Sequence, residues 1–239
     1  MSEADFLKTY DPTDFPPVAV TVDLVLMTVL DRRLRVLLQF RESAPFAESF
    51  GLPGTFVGID EDLADTAARV VREELVLEPQ FLEQLRTFGA PARDPRMRVV
   101  SVAYFALLPC ARLQHLVDDD YVGPATLATV ERQQDTIRII HHDGCELEPL
   151  PFDHEEIVTV AVDRLRAKLD WSDVAFSLLP EEFTLRQLQE VHEAIRGEQL
   201  SKPPFRKRML DSKRIEPTGR RESGCAFRPA ELYRRSARA

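Results

Sequence analysis

Several things are scarce in this sequence, and each absence excludes something. Only three of its 239 residues are cysteines, and Cys110, Cys145 and Cys225 are widely scattered, without metal-ligand spacing. They read as reduced thiols, which excludes a disulfide framework and points to the cytoplasm. The N-terminal stretch MSEADFLKTYDP has no basic segment followed by an apolar one. A secretory signal is therefore not expected. The longest apolar stretch, Leu24 to Leu30, is too short to span a bilayer, so no membrane partner is expected. No internal repeat or low-complexity segment is evident. Net positive charge is also missing: the formal charge is −9, which alone argues against a nucleic-acid partner.

The distribution of that charge reverses the argument. Residues 201–239 carry 12 Lys/Arg and 4 Asp/Glu, a balance of +8, so the rest of the chain carries −17. A basic C-terminal part on an acidic body is a footprint of DNA binding. A solvated basic tail without a partner is the plainer alternative.

The texture changes along the chain. Residues 1–17 are polar and proline-rich and read as an arm. Val18 to Leu30 is β-branched and reads as a strand, and Leu34 to Phe40 as its hairpin partner across Asp31-Arg32-Arg33. Pro45 and Phe50 to Gly54 mark a loop. Asp62 to Leu75 has helical spacing in Leu63, Ala67, Val70/Val71 and Leu75. Val99 to Leu108 is a further strand and Thr136 to Ile140 a short one. Residues 111–135 fit no pattern and read as a surface loop or a short extra helix. From Asp153, which is placed to cap it, a long helix is expected with Ile157, Val160/Ala161, Leu165 and Leu169 on one face. Thr184 is an N-cap for a helix with an apolar stripe of Leu185, Leu188, Val191 and Ile195 that ends near Gly197. A second helix starts at Pro203 or Pro204, with Phe205, Met209 and Leu210 expected in the core. Two short strands follow, near Arg214–Thr218 and Ala230–Arg234. Helix, turn, basic helix and basic hairpin is the order of a winged helix-turn-helix.

One segment carries, or once carried, chemistry. Leu52-Pro-Gly-Thr-Phe-Val-Gly-Ile-Asp-Glu61, followed by Arg69-Val-Val-Arg-Glu-Glu-Leu-Val-Leu77, resembles a Nudix box. The pattern G-x5-E-x7-R-E-U-x-E-E-x-G-U, with U aliphatic, places Glu61, Arg69, Glu73 and Glu74 on its charged positions. Three positions depart from it: Thr55 and Val76 stand where glycines belong, and Val70 where a glutamate belongs. In an intact box, carboxylates at helical spacing hold Mg²⁺, which polarises a pyrophosphate and activates water. Losing one of a pair weakens that site, so Glu61, Arg69, Glu73 and Glu74 read as a vestigial box, with at most a loosely held ion on Glu73 and Glu74. The bland alternative is a set of solvated carboxylates.

The resemblance extends along residues 18 to 235. Val20-Thr-Val-Asp-Leu-Val, Arg41 with Pro45-Phe46, Asp94-Pro-Arg96 with Arg98 to Tyr104, Phe152-Asp-His154, Leu178 to Leu185, Phe205 to Leu210 and Arg228 to Arg234 are similar to the Nudix-related transcriptional regulators of NAD metabolism. The resemblance implies an α/β protein: a Nudix α/β/α sandwich with a mixed sheet, followed by a C-terminal winged helix-turn-helix domain. It divides the chain into an arm (1–17), an effector domain (18–152), a connector helix (153–172) and a DNA-binding domain (173–239). It implies a homodimer on a palindromic operator, controlled by a nucleotide effector such as ADP-ribose, with no cofactor required. The alternative is a Mg²⁺-dependent Nudix hydrolase of ADP-ribose or a similar nucleoside diphosphate derivative.

Arg41, Arg96 and Arg98 are the expected effector contacts, because guanidinium groups recognise phosphate oxygens bidentately. His154 is expected at a domain interface or at the ligand. On DNA, Arg206, Lys207 and Arg208 form the exposed side of the second helix. Lys202, Lys213, Arg220 and Arg221 read as phosphate contacts, which give affinity without sequence information. Arg228 is expected to tie the wing.

Overall fold

A computed structural model describes residues 2–113 except 75 and 77, residues 125–222 except 135, and residues 229–236; of residues 73 and 74 it describes the backbone only. The N-terminal arm holds a seven-residue helix, α1 (Glu3–Thr9), closed by a capping box between Ser2 and Asp5, and every described residue of the arm is exposed. The chain then enters β1 (Ala19–Leu30), turns tightly at Asp31 and Arg32, and returns as β2 (Arg33–Arg41).

The expected loop around Phe50 to Gly54 contains two three-residue strands, β3 (Ser49–Gly51) and β4 (Gly54–Phe56). Asp62 caps α2 (Leu63–Arg69), its side chain accepting from the Ala64 amide. The helix does not run on regularly: Val70–Glu74 form a π-helical turn. Next come β5 (Phe81–Phe88), which sequence patterning did not anticipate, and β6 (Val99–Leu107). The segment 111–135 departs from its expected loop character, because β7 (Ala125–Gln133) occupies its second half and pairs with β8 (Thr136–Ile140). Alternation in Leu127, Ala128 and Val130 is masked by the glutamine-rich run that follows, although all three are buried.

The strands form one sheet in the order β5-β6-β1-β2-β7-β8, with β3 on β2 and β4 on β1. Only β1 and β6 run parallel among these pairs, so the sheet is mixed. β1 is buried on both faces from Thr21 to Thr28. Successive side chains of a strand point to opposite faces. Val22, Leu24 and Leu26 accordingly pack with Ala67, Val70 and Val71 of the α2 segment. Val25 and Met27 pack on the other face with α3 (His154–Lys168), through Ile157, Ala161 and Leu165. The result is the α/β/α sandwich. Asp153 does not cap α3 with its side chain; it is drawn to an arginine instead, as described below.

The apolar cluster beneath α3 continues into the C-terminal part through Val174, Leu178, Leu188, Val191 and Phe205. That part consists of β9 (Phe183–Thr184), α4 (Leu185–Arg196), α5 (Lys202–Asp211), β10 (Ile215–Arg221) and β11 (Glu231–Arg235), with sheet order β10-β11-β9. Thr184 and Gln187 make a reciprocal capping box, and Gly197 ends α4 at φ 73°, a conformation open to glycine. Phe205 and Met209 are buried as expected, but Leu210 is 41% exposed, because it falls on the outer side of α5. No helix among the described residues is long and apolar enough to cross a membrane.

Candidate functional site

A cavity of about 140 Å³ opens where β1, β2 and β4 meet the loop after β5. Its floor is ionic and buried. Asp23 projects from β1 and receives the Ser101 hydroxyl at 2.5 Å and Arg93 Nη2 at 3.1 Å. Arg93 also clamps Asp153 with Nε–Oδ2 at 2.8 Å and Nη2–Oδ1 at 2.6 Å. Burial disfavours the guanidinium charge, but the two carboxylates outweigh it and hold the Arg93 pKa above its ordinary value. The floor thus holds two carboxylates on one cation, an arrangement that removal of the cation would leave uncompensated.

His154 completes the floor. Its Nδ1 accepts the Leu52 amide at 2.9 Å, so the proton sits on Nε2, which faces Asp23 Oδ1 at 3.8 Å. Burial pushes its pKa down, and the ring is neutral. His154, the first residue of α3, is therefore a bracket that ties the connector helix to Leu52 of the effector domain, and it also lines the cavity. Gly54 lets β4 approach: a Cβ there would meet Asp23 Oδ1 at 2.5 Å and the Val22 carbonyl at 2.7 Å.

The rim is arginine and aromatic. Arg41 lies 5.0 Å from the Phe152 ring centre, and Arg96 lies 5.6 Å from Phe56 and 5.9 Å from Phe152. Burial and the neighbouring Arg96 both disfavour charge on Arg41, and its pKa is lowered. Arg41 Nε and Thr21 Oγ1 are buried without a hydrogen-bond partner. Arg96 is paired internally, bidentate to Asp94 at 3.0 and 2.7 Å. The structure thus brings Arg41 and Arg96 together. It does not bring Arg98 to them: that side chain donates to the Ala90 carbonyl at 3.1 Å and is absent from the lining. Arg93, Asp23 and Phe152, which do form the cavity, escaped sequence reasoning. The signals available were a polar Asp23 inside an apolar strand and the family-like segments that contain Asp23 and Phe152.

The box lies on the other face of β1. Arg69 clamps Glu61 with two hydrogen bonds of 2.7 and 2.9 Å, which hold the Glu61 carboxyl down to about 2. Val70 is fully buried among Val22, Leu24 and Leu26. Mg²⁺ prefers carboxylate oxygens with freedom to coordinate. Both oxygens of Glu61 are engaged and Val70 offers none, so the described donors of the box do not fit the ion. The side chains of Glu73 and Glu74 lie outside the described residues. Val76, in a glycine position of the box, has φ 53°.

On the C-terminal part, Lys202, Arg206, Lys207 and Arg208 are all exposed along α5. Lys202, Arg206 and Lys207 have no acidic partner among the described residues, and Arg208 stacks 5.5 Å from Phe205. Lys213 is exposed in the turn after α5. Arg220 and Arg221 extend along β10, Arg220 paired with Glu182 at 2.8 Å. Arg228 lies outside the described residues.

A Nudix sandwich with a buried valine at a carboxylate position of its box, continuous with a basic winged helix, defines a class of regulator in which a nucleotide-hydrolase fold is joined to a DNA reader. Residues 20–132 match the NUDIX domain, and residues 175–235 match the NrtR DNA-binding winged helix domain. The chain is 34% identical to the "ADPR responsive transcriptional repressor NtrR" of Acinetobacter baylyi, over 98% of this chain and 88% of that protein. It superposes on NrtR of Shewanella oneidensis, crystallised with a 27mer DNA, at a TM-score of 0.74 and 32% identity, over 91% of this chain and 93% of that one. An ADP-ribose pyrophosphatase of Methanocaldococcus jannaschii is 29% identical over 64% of this chain and 76% of its own. The chain belongs to the NrtR family of Nudix-linked winged helix transcriptional regulators.

Proposed function

We propose that this chain is a cytoplasmic repressor whose effector domain binds ADP-ribose or a close NAD-derived nucleotide and whose winged helix releases its operator in response. The carrying observation is the cavity rim. Two arginines converge there, Asp94 is bound bidentately by Arg96 alone, and Arg41 keeps a buried N–H unpaired. An anionic group placed there satisfies that donor and relieves the mutual repulsion. The cavity is smaller than the roughly 300–1,000 Å³ of a typical small-molecule site. It suits one phosphate or ribose unit, while Phe46 and Phe56, each 46% exposed, offer apolar faces at the rim for the base. The acidic floor is suited to sugar hydroxyls, which donate to carboxylates.

On DNA, α5 enters the major groove with Arg206, Lys207 and Arg208, while Lys202, Lys213, Arg220 and Arg221 contact phosphates. Two copies on a palindromic site follow the usual symmetry of such readers. The boundaries at residues 17, 152 and 172 serve as the working division of the chain. Efficient hydrolysis is not part of this reading, because the turn that would hold the metal presents a buried valine.

Calorimetric titration of ADP-ribose into the full chain is expected to show binding without Mg²⁺. Arg41→Ala is expected to weaken it about tenfold, the loss of one charge-assisted hydrogen bond of about 1.4 kcal/mol. Equal affinity in the variant sinks the placement. The hydrolase alternative rests on the Glu73 and Glu74 positions of the box, whose side chains lie outside the described residues. Mg²⁺-dependent release of AMP that Glu74→Gln abolishes would establish it.

A further inference from the structure

Three clefts of about 610, 570 and 680 Å³ lie around the seam where the Nudix sheet packs on the winged helix, and Arg32 lines all three. It stands at the tip of the β1–β2 hairpin, where Asp31 and Arg32 take φ of 51° and 60°. That left-handed conformation suits the twist of a two-residue hairpin but is unfavourable for a side chain as large as arginine. It directs the guanidinium into α4, 3.1 Å from Glu193 Oε2 and 3.9 Å from Glu190. Among the described residues, no other ion pair links the Nudix sheet to α4 or α5.

Glu193 is not an ordinary surface partner. Its side chain is 10% exposed. Its other oxygen accepts the Leu200 amide at 2.9 Å and Gln189 Nε2 at 2.8 Å, and Gln189 Nε2 also donates to the Leu200 carbonyl at 2.8 Å. Leu200 lies in the turn between α4 and α5. One carboxylate therefore fixes that turn and receives the tip of the sensor hairpin.

The same two strands reach the effector cavity at their other end. Thr21 and Asp23 of β1 and Arg41 of β2 line it. β1 is hydrogen-bonded to β6 on one side and β2 on the other, and buried on both faces from Thr21 to Thr28, so it is built as a stiff element. From Asp23 to the tip is roughly 25–30 Å at about 3.3 Å per residue. Rigid elements of this kind carry coupling between sites.

We propose that Arg32 is the positioning residue through which the effector domain sets the geometry of the helix-turn-helix. The inference rests on the ADP-ribose reading above. Arg32 is half exposed, and such pairs contribute little to stability. Its role is to distinguish two arrangements of the domains. The Arg32–Glu193 pair holds one of them, and the surrounding clefts leave room for another.

The test uses the full chain and a duplex selected by the wild-type protein from a random-sequence library. Operator affinity is measured with and without saturating ADP-ribose, and ADP-ribose affinity is measured separately without DNA. Wild type is expected to lose operator affinity fivefold or more with ADP-ribose, within the usual range of coupling of about 5- to 150-fold. Arg32→Asn, chosen because asparagine tolerates the left-handed conformation, is expected to bind ADP-ribose within about twofold of wild type while its operator ratio falls to within about twofold of one. Glu193→Gln keeps an acceptor for Leu200 and Gln189 but loses the charge, and is expected to give the same result, with no further change in the double variant. A full ADP-ribose response in Arg32→Asn overturns this inference alone. Failure of wild type to bind ADP-ribose, or to select any duplex, overturns the functional reading and this inference with it.

Discussion

The two faces of β1 have had different fates. On the face toward α2, Val22, Leu24 and Leu26 enclose Val70, and the position where a Nudix box carries a carboxylate is hydrocarbon. On the face toward α3, Asp23 remains a buried carboxylate, held by Arg93, Ser101 and His154. Both environments are buried. A buried charge is costly unless it is paired, so a carboxylate that loses its task is readily replaced by an apolar residue. One face is apolar at Val70 and the other keeps its ions, which is the contrast on which the proposed binding without efficient hydrolysis rests. Chemistry depends on the first face and recognition on the second.

The sharpest way to break this contrast is to remove the cation from the ionic face. Arg93→Ala leaves Asp23 and Asp153 without their shared partner. Breaking a buried ion network in this way costs about 3–5 kcal/mol. For a chain of this size Tm is expected to fall by roughly 6–20 °C, at about 2–4 °C per kcal/mol, and ADP-ribose binding is expected to go with it. A variant with wild-type Tm would mean that the floor carries no such energy.

The reverse experiment restores the carboxylate on the apolar face. On sequence alone, Val70→Glu looks like a route back to hydrolysis, since it completes the box. The structure reverses that expectation. Val70 is fully buried, so the change forfeits about 1.5 kcal/mol of apolar burial and strands a carboxyl at a further cost of about 2 kcal/mol. Denaturant unfolding is expected to show about 3–4 kcal/mol lost and no gain in AMP release. Recovered Mg²⁺-dependent turnover would show that the turn can rotate to present residue 70 to a ligand.

How much of this contrast the sequence reveals depends on distance along the chain. The hairpin, the N-cap at Thr184, the helix end at Gly197 and the Nudix box are local patterns, and all are legible. The ionic floor joins residues 60 to 78 positions apart: Arg93 to Asp153, Arg93 to Asp23, Ser101 to Asp23. No periodicity signals such a meeting. Arg93 sits in a turn without pattern, while Arg98, next to a recognisable strand, looked the better candidate yet points to Ala90. Asp153 stands correctly before a helix, and only the presence of Arg93 explains why it does not cap it.

Protonation separates the faces more gently, and the winged helix offers an internal standard. His154 in the floor and His192 in α4 are both buried and both have lowered pKa values, mainly through burial; His192 is pushed down to about 4. The unfolded chain takes up these protons near pH 6.5, whereas the native state resists them. The stability they contribute is therefore complete above about pH 6.5 and is lost as pH falls through the folded values. For His192 that amounts to about 3 kcal/mol between pH 6.5 and 4. Chemical denaturation across that range is expected to show the decline, and His192→Phe to flatten it in part. The remaining slope is shared by His154, which resists a proton, and, toward pH 4, by carboxylates held below their ordinary values such as Glu61 and Asp94. A profile flat from pH 7 to 4 would contradict both burials.

The smallest expected effect lies at the decayed end of the box. Val76 occupies a position where the box calls for glycine, and its φ of 53° shows why glycine belongs there. A β-branched side chain in the left-handed region costs roughly 1–2 kcal/mol. Glycine adopts the conformation freely but loses more chain entropy on folding, by about 0.5–1 kcal/mol. Val76 is largely exposed, so little packing is lost with its side chain. Val76→Gly is therefore expected to raise stability by about 0.5–1 kcal/mol, a Tm increase of about 1–4 °C, with no gain in AMP release because Val70 is unchanged. If erosion of the box were instead compensated locally, with Val76 packed to advantage in the native chain, the same substitution would lower Tm.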